Sequence, residues 1–448
     1  MKKHLLRNTV IDLLLRIEKG GYSHLLIHQA IQSRQLCEKD ERLLTEIVYG
    51  TIQRKLTLDY YIRHFVKRHK KKQPWVTMLL RMSIYQMVYL DRVPDHAIIH
   101  EAVEIAKQRG HKGIASFVNG VLRNIQRKGL PSIQSIEDPI KRLSVETSHP
   151  EWLVKRWTSL YGYEKTKEMC VANLERHIIS VRVHPLKISR EEAIDHLTDE
   201  GFRAKPSQFS NQGIIIEQGN VLTSTLFKEG LVSIQDESSM LVGEMLDVSP
   251  GMTVLDACSA PGGKSTHIAE KMSDQGLIYA YDLHAKKTKL VEKKANQLDL
   301  SIIKTRQLDA RKLQTIHEAQ SFDRILVDAP CTGFGVIRAK PDIKYRKRET
   351  DIYNLATVQL QILTSVAPLL KRGGLLVYST CTVDREENEK VIEKFLEGHK
   401  NYAVDPHFFA SLPAEMRQSP GVSKFGLQLF PQTFQTDGFF LTRLIKKS

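Results

Sequence analysis

Cysteine is scarce in this chain: Cys37, Cys170, Cys258, Cys331 and Cys381 are the only five in 448 residues. They are scattered, odd in number and form no CxxC pair, which argues against a disulfide framework or a zinc site. Free thiols of this kind suit a reducing cytoplasm, and no metal is expected. Apolar runs of membrane-spanning length are missing. The opening residues Met1-Lys2-Lys3-His4-Leu5-Leu6-Arg7 also lack the apolar stretch of a signal peptide. A cytoplasmic protein with no membrane partner is therefore the expectation. A GxGxxG run is absent too, which removes the glycine fingerprint of a nicotinamide dehydrogenase.

Positive charge is plentiful but unevenly placed. The net charge is +15, and residues 1–130 hold 24 Lys and Arg against 11 Asp and Glu. The first third thus carries nearly all of the positive field, as expected of a nucleic-acid enzyme with a separate docking module. Its apolar residues recur at helical spacing: Val10, Leu13, Leu14 and Ile17, then Leu43, Leu44, Ile47 and Val48, then Leu79, Leu80, Met82, Tyr85, Val88 and Tyr89. Gly20-Gly21 closes the first helix. The run Lys67-Arg68-His69-Lys70-Lys71-Lys72 falls between helices, where it reads equally as a solvated loop or a phosphate contact. Gly21-Tyr22-Ser23 and Asn119-Gly120-Val121-Leu122-Arg123 resemble pieces of the NusB-like RNA-binding bundle.

Residues 131–150 read as a linker with Pro131, Ser132, Ser135, Pro139 and Ser148-His149-Pro150. A small α+β module follows, with a strand at Ile179–Val183, a helix at 190–200 and a strand near Gly213–Ile216. From about residue 236, strands and helices alternate as in a doubly wound parallel sheet. Strands are expected at Thr253–Asp256, Leu277–Asp282, Ile302–Leu308, Ile325–Asp328 and Leu375–Ser379, with a late antiparallel strand within 434–444. The expected fold class is multidomain: an all-α bundle over 1–132, linking helices and an α+β module over 140–233, and an α/β Rossmann-like domain over 234–448.

Ligands collect where the strands of such a sheet end. Cys258-Ser259-Ala260-Pro261-Gly262-Gly263-Lys264 follows the first strand, and its glycines allow close backbone approach. Asp256, Asp282, Asp309 and Asp328 end four strands, placing four carboxylates on one rim. Each alone could be a helix cap; together they repel phosphate and suit a cationic cofactor with a ribose diol, namely S-adenosyl-L-methionine. Cys331, in Asp328-Ala329-Pro330-Cys331-Thr332-Gly333, and Cys381, in Thr380-Cys381-Thr382, end two further turns on the same crevice. Cytosine C5 is a poor nucleophile until a thiolate adds to C6. Cysteine both attacks and departs well, and a second thiol could help break the adduct.

With Ile234-Gln235-Asp236-Glu237-Ser238-Ser239, Pro341-Asp342-Ile343-Lys344-Tyr345, Glu387-Asn388-Glu389 and Asp437-Gly438-Phe439-Phe440, these motifs resemble the RsmB (Sun/Fmu) family of 16S rRNA cytosine-5 methyltransferases. Ser259 stands where alanine is common in that family, and Tyr345 where tryptophan is. The resemblance implies Cys381 as the nucleophile and Cys331 as the residue assisting product release. It implies an S-adenosyl-L-methionine site at Cys258, Ser259, Ala260, Pro261, Gly262, Gly263, Lys264, Asp282, Asp309 and Asp328, with Asp328 steadying the cytosine. The implied partner is 16S rRNA, naked or in an assembling small subunit, with one loop cytosine, conventionally numbered 967, as target. The middle module is expected to be RRM-like, and the protein a monomer. The same reaction on tRNA, or an RNA-assembly factor with an idle catalytic domain, are the competing readings.

Overall fold

The computed structural model describes residues 5–34, 36–66 and 73–447. The basic run at 67–72 lies outside them. The chain divides into two compact units. One runs to Glu175 and also takes in Ile337–Lys347; the other holds Arg176–Val336 and everything from Arg348.

The first unit is helical. Leu5–Glu18, Ser23–Arg34, Glu38–Gln53, Lys55–Phe65, Pro74–Tyr89, Asp95–Arg109 and Lys112–Lys128 pack on one core that includes Val10, Leu14, Leu44, Ile47, Leu79, Leu80, Val118 and Leu122. The periodic apolar residues of the sequence supply that core. The segment read as a linker is partly ordered as a helix at Pro139–Thr147, where Asp138 caps the N-terminus by accepting from the Lys141 amide at 2.8 Å. The Pro residues that suggested a linker are tolerated because Pro139 sits in the first turn, where its missing N–H costs nothing. Helices Glu151–Tyr161 and Tyr163–Ala172 follow and belong to this unit, which runs to Glu175. Residues 337–347 return to it as a strap. Lys344 Nζ donates to the Gln53 carbonyl at 3.0 Å, Tyr345 Oη to the Ser148 carbonyl at 2.7 Å, and Arg338 Nε to the Ala172 carbonyl at 3.0 Å.

The second unit carries two sheets. The smaller is built from β1 (Ile179–Val183), β2 (Arg203–Pro206), β3 (Gly213–Gln218) and β4 (Val232–Ile234), antiparallel in the order β2-β3-β1-β4. Helix Arg190–Asp199 crosses between β1 and β2, and the one-turn helix Thr225–Lys228 precedes β4. Val181, Val183, Leu197, Ile214 and Val232 form its core.

The larger sheet contains β5 (Thr253–Asp256), β6 (Leu277–Asp282), β7 (Ile303–Gln307), β8 (Phe322–Asp328) and β9 (Leu370–Thr380), all parallel, in the order β9-β8-β5-β6-β7. The short β10 (Tyr402–Val404), β11 (Val422–Ser423) and β12 (Gly426–Leu429) precede the last strand, β13 (Phe439–Lys446). β13 pairs antiparallel with β9, Leu441 opposite Ser379 and Leu444 opposite Leu376. Helices on both faces bury the aliphatic runs, as both-sided burial of a parallel sheet requires. The order reverses between β5 and β8, and crevices for ligands open at such a point. No helix among the described residues is long and apolar enough to cross a membrane.

Candidate active site

The carboxyl ends of β5, β6, β8 and β9 meet around a cavity of about 330 Å³. Cys258, Ala260, Asp282, Asp309, Asp328, Cys331 and Cys381 all line it. The sulfurs of Cys331 and Cys381 are 3.3 Å apart, although 50 residues separate them in sequence. Pairing of β8 with β9 sets Asp328 opposite Ser379, which brings the two turns together. Hydrogen bonds then fix them: Ala329 N to the Ser379 carbonyl at 2.8 Å, and Gly335 N to the Cys381 carbonyl at 2.9 Å.

Lys264 is bound to the first of these turns through Asp328. Its Nζ donates to Asp328 Oδ2 at 2.8 Å, while Ser379 Oγ donates to Oδ1 of the same carboxylate at 2.8 Å. Burial favours a neutral amine, but Asp328, with a further contribution from Cys381, overrides it and holds the ammonium charged. A retained positive charge at this place favours a thiolate at Cys381. The Cys331 thiol is pushed well above the usual thiol range by its hydrogen bond with Cys381 and by burial.

The Glu387-Asn388 motif supports both turns from beneath. The Glu387 carboxylate accepts from Thr332 N at 2.9 Å, from Thr332 Oγ1 and from Gln359 Nε2 at 3.1 Å. Burial raises its pKa to about 7. Asn388 donates to the Thr382 carbonyl at 3.1 Å and accepts from Thr380 Oγ1 at 2.5 Å, so it brackets Cys381 on both sides. Gln359 also donates to the Pro330 carbonyl at 2.9 Å. Nothing in the sequence marked Gln359, which lies inside a helical run.

The glycine turn starts the helix Gly263–Lys271 with Gly262 at φ 102°, a left-handed value that favours glycine. A Cβ at Gly262 would also press on Val291 Cα at 3.0 Å. Ser259 Oγ donates to the Tyr281 carbonyl at 3.0 Å and is buried. Ser259, Pro261, Gly262, Gly263 and Lys264 are not among the residues lining the cavity, whereas Cys258 and Ala260 are. One expectation needs correcting. Asp256 is not on the carboxylate rim: it is fully buried, accepts from Ser265 Oγ at 2.6 Å and is raised to about 7 by burial. It braces the turn from inside, and three carboxylates remain on the rim. Of these, Asp309 caps the next turn and is forked by Arg311, with Nη2 to Oδ2 at 2.6 Å.

Arg182, on β1, ties the glycine turn to the small sheet. Its side chain is fully buried. Nε and Nη2 donate to Glu270 at 2.7 and 2.8 Å, Nη2 to Thr266 Oγ1 at 3.0 Å, and Nη1 to the Gly263 carbonyl at 2.8 Å and to Gln235. All five donors of the guanidinium fork can be satisfied in this arrangement. Sequence reading did not single out Arg182, because one arginine in an alternating strand looks like an exposed position.

The donor set fits a cationic, ribose-bearing cofactor. Asp282 ends β6 about 20 residues past the glycine turn, its carboxylate largely buried and engaged by the His284 amide at 3.1 Å, with Lys287 Nζ 3.9 Å away. Asp282, Asp309 and Asp328 give the cavity a negative wall, while Ala257, Pro330, Val358 and Ile362 give it an apolar one.

Comparison with known proteins agrees with this geometry. Residues 244–445 match the family described as 16S rRNA methyltransferase RsmB/F, residues 4–127 the NusB family, and residues 149–223 the RsmF/B-like ferredoxin-like domain. The "Probable ribosomal RNA small subunit methyltransferase B" of Bacillus subtilis is 49% identical over 448 residues, covering 100% of both chains. The crystal structure of PH0851 superposes with a TM-score of 0.84 at 29% identity, covering 100% of this chain and 99% of that one. NSun6 from Pyrococcus horikoshii, solved with the S-adenosylmethionine analogue SFG, shares the fold at TM-score 0.60 and 23% identity, over 67% of this chain and 98% of its own. Full-length identity at this level, with a NusB domain, a ferredoxin-like module and a mixed-sheet catalytic domain in the same order, shows that the chain belongs to the RsmB/F family of S-adenosylmethionine-dependent 16S rRNA methyltransferases.

Proposed function

We propose that this protein methylates C5 of a cytosine in 16S rRNA through a covalent adduct between Cys381 and C6. The observation that carries this reading is the 3.3 Å approach of two sulfurs at the ends of adjacent strands. A single buried cysteine would be better explained as a small apolar filler. Two thiols in contact, facing a carboxylate-walled cavity and flanked by a charged lysine, fit addition and elimination at a pyrimidine.

The Cys381 thiolate adds to C6, and the C5=C6 electron pair becomes available at C5. When bound, S-adenosyl-L-methionine supplies an electrophilic methyl group to C5. The C5 proton is then lost to a base, its bonding pair restores C5=C6, and the C6–S pair departs with Cys381. Cys331 assists this last cleavage. Lys264 and Asp328 set the charge beside the attacking sulfur, and Asp328 also steadies the cytosine ring. Asp282 and Asp309, with the turn from Cys258 to Lys264, hold the cofactor. The basic helical unit and the RRM-like module bind the RNA, and the target base leaves its stack at lower cost in a loop than in a duplex.

The test is methyl transfer from labelled S-adenosyl-L-methionine to unmodified 16S rRNA and, separately, to bulk tRNA. Label at cytosine C5 of the rRNA with wild type, and none with Cys381→Ala, is the expected result. Transfer to tRNA alone would move the substrate, and full activity of Cys381→Ala would overturn the nucleophile.

A further inference from the structure

We infer that Tyr22 and Arg346 form a stacking platform for an unpaired RNA base on the helical unit; this rests on the RNA substrate proposed above and names a place where that RNA is held. Tyr22 follows the Gly20-Gly21 turn and is 55% exposed, unusual for an aromatic ring in an otherwise well-filled bundle. The Arg346 guanidinium lies over the ring at 3.9 Å from its centroid. His24 meets the ring edge-on at 6.0 Å, and burial with the nearby Lys340 charge keeps the imidazole below its ordinary pKa, hence neutral near pH 7. One face and one edge of the ring are therefore covered, and the exposed remainder is free to receive a flat partner.

The platform is held rigid before any ligand arrives. Ser23 is fully buried and donates to Asp342, whose other carboxylate oxygen is 3.5 Å from Arg346 Nη1. The ring and the guanidinium are thus fixed by neighbouring residues on two distant stretches of chain. Arg346 also lines an adjoining cavity of about 340 Å³, together with Lys19, Lys55 and the carboxylates of Glu18 and Asp342, Lys55 Nζ donating to Glu18 Oε1 at 2.9 Å. Thr51, 1% exposed, lines the same cavity, and its hydroxyl has no hydrogen-bond partner among the described residues. A polar hollow beside an exposed ring suits a nucleotide: the base stacks on Tyr22, and its sugar faces the hollow.

Charge selects RNA over a protein partner, since residues 1–130 carry 24 basic against 11 acidic side chains. Every base has a face to stack, so this contact adds affinity without reading sequence. The cation on the far face of the ring strengthens the arrangement through its attraction to the π-system.

The experiment measures binding of a labelled hairpin from small-subunit rRNA, with an unpaired loop, to the full chain by fluorescence anisotropy, and of a blunt duplex as control. Tyr22→Ala and Tyr22→Leu are expected to weaken hairpin binding about five- to a hundredfold, the usual range for loss of one stacked base, while Tyr22→Trp retains it. Duplex binding and S-adenosyl-L-methionine binding stay at wild-type values, and the slope of log K against log salt is unchanged because no phosphate contact is lost. As an independent readout, the extra emission of Tyr22→Trp over wild type is quenched when the hairpin binds. Wild-type hairpin affinity in Tyr22→Ala, or unquenched emission in Tyr22→Trp despite binding, overturns the platform and leaves the proposed function standing. Failure of the wild type to bind the hairpin overturns both.

Discussion

Cys331 Sγ lies 3.3 Å from Cys381 Sγ, and the Cys331 thiol is held well above its ordinary pKa, first by that contact and then by burial. If Cys381 adds to C6 and Cys331 assists its release, the two alanine variants must fail differently. Cys381→Ala is expected to form no adduct and transfer no methyl. Cys331→Ala is expected to accumulate a protein–RNA adduct that survives denaturing gel electrophoresis. An adduct in both variants, or in neither, contradicts the assignment of roles.

Arg182 joins β1 to the helix that begins with the glycine turn, through Glu270, Thr266 and the Gly263 carbonyl. Arg182→Met would leave the buried Glu270 carboxylate without its cation, and breaking a buried pair in this way costs about 3–5 kcal/mol. A clear fall in Tm is expected. Because Gly263 immediately precedes Lys264, kcat should fall even at temperatures where the variant is folded. Arg182→Lys cannot reproduce the fork and should recover stability only in part. Wild-type kcat in a folded Arg182→Met would show that the arginine serves stability alone.

Much of this arrangement was legible in sequence. Strands ending in Asp256, Asp282 and Asp328 stand where the alternation of apolar runs and turns placed them, because a buried parallel strand needs an unbroken apolar run. Cys331 and Cys381 were legible because each closely follows such a strand. Arg182 and Gln359 were not, since their partners lie 53 to 88 and 28 to 29 residues away, and only the folded sheet brings them together. The misplacing of Asp256 on the rim has the same origin: a strand-end carboxylate can face the crevice or turn inward to a neighbouring hydroxyl, here Ser265, and periodicity does not distinguish the two. The helix at Pro139–Thr147 was hidden by composition, because proline marks a helix start as readily as a linker.

Glu387 gives a pH dependence with a definite sign. Burial raises its pKa from 4.5 to about 7. Between these values the folded protein keeps a proton that the unfolded chain has released, so stability falls as pH rises from 4.5 to 7. Glu387→Gln removes that dependence. The stability of Glu387→Gln relative to wild type should therefore rise across this window, by on the order of 3 kcal/mol, read from urea unfolding at a series of pH values. A relative stability that is flat with pH would mean that the carboxylate titrates normally in the folded protein.

Gly335 touches the loop before β13. Its amide donates to the Cys381 carbonyl at 2.9 Å, and its own carbonyl accepts from the Gly438 amide at 2.9 Å. A Cβ at Gly335 would stand 1.7 Å from the Gly438 carbonyl oxygen and 2.9 Å from that of Cys381, both backbone atoms that cannot rotate away. Gly335→Ala must push the Cys331 and Cys381 turns apart. Methyl transfer should fall at least about a hundredfold, in keeping with the cost of roughly ångström misplacement at a reacting centre. RNA affinity, supplied by other surfaces, should change little. Equal activity in Gly335→Ala would show that the two turns need not be held at this distance.

The positive field of the first 130 residues and the near-neutral remainder predict two different salt responses. RNA binding releases counterions for every phosphate neutralised, so its affinity should fall steeply and linearly on a log–log plot as salt rises. In the proposed site S-adenosyl-L-methionine meets a few buried or half-buried carboxylates at short range, where screening is weak. Its affinity should stay nearly constant over the same salt range. Titrating both ligands against one protein preparation separates the two terms. A flat RNA response would mean that the basic bundle does not supply the affinity, and docking would then have to come from contacts around the catalytic cavity itself.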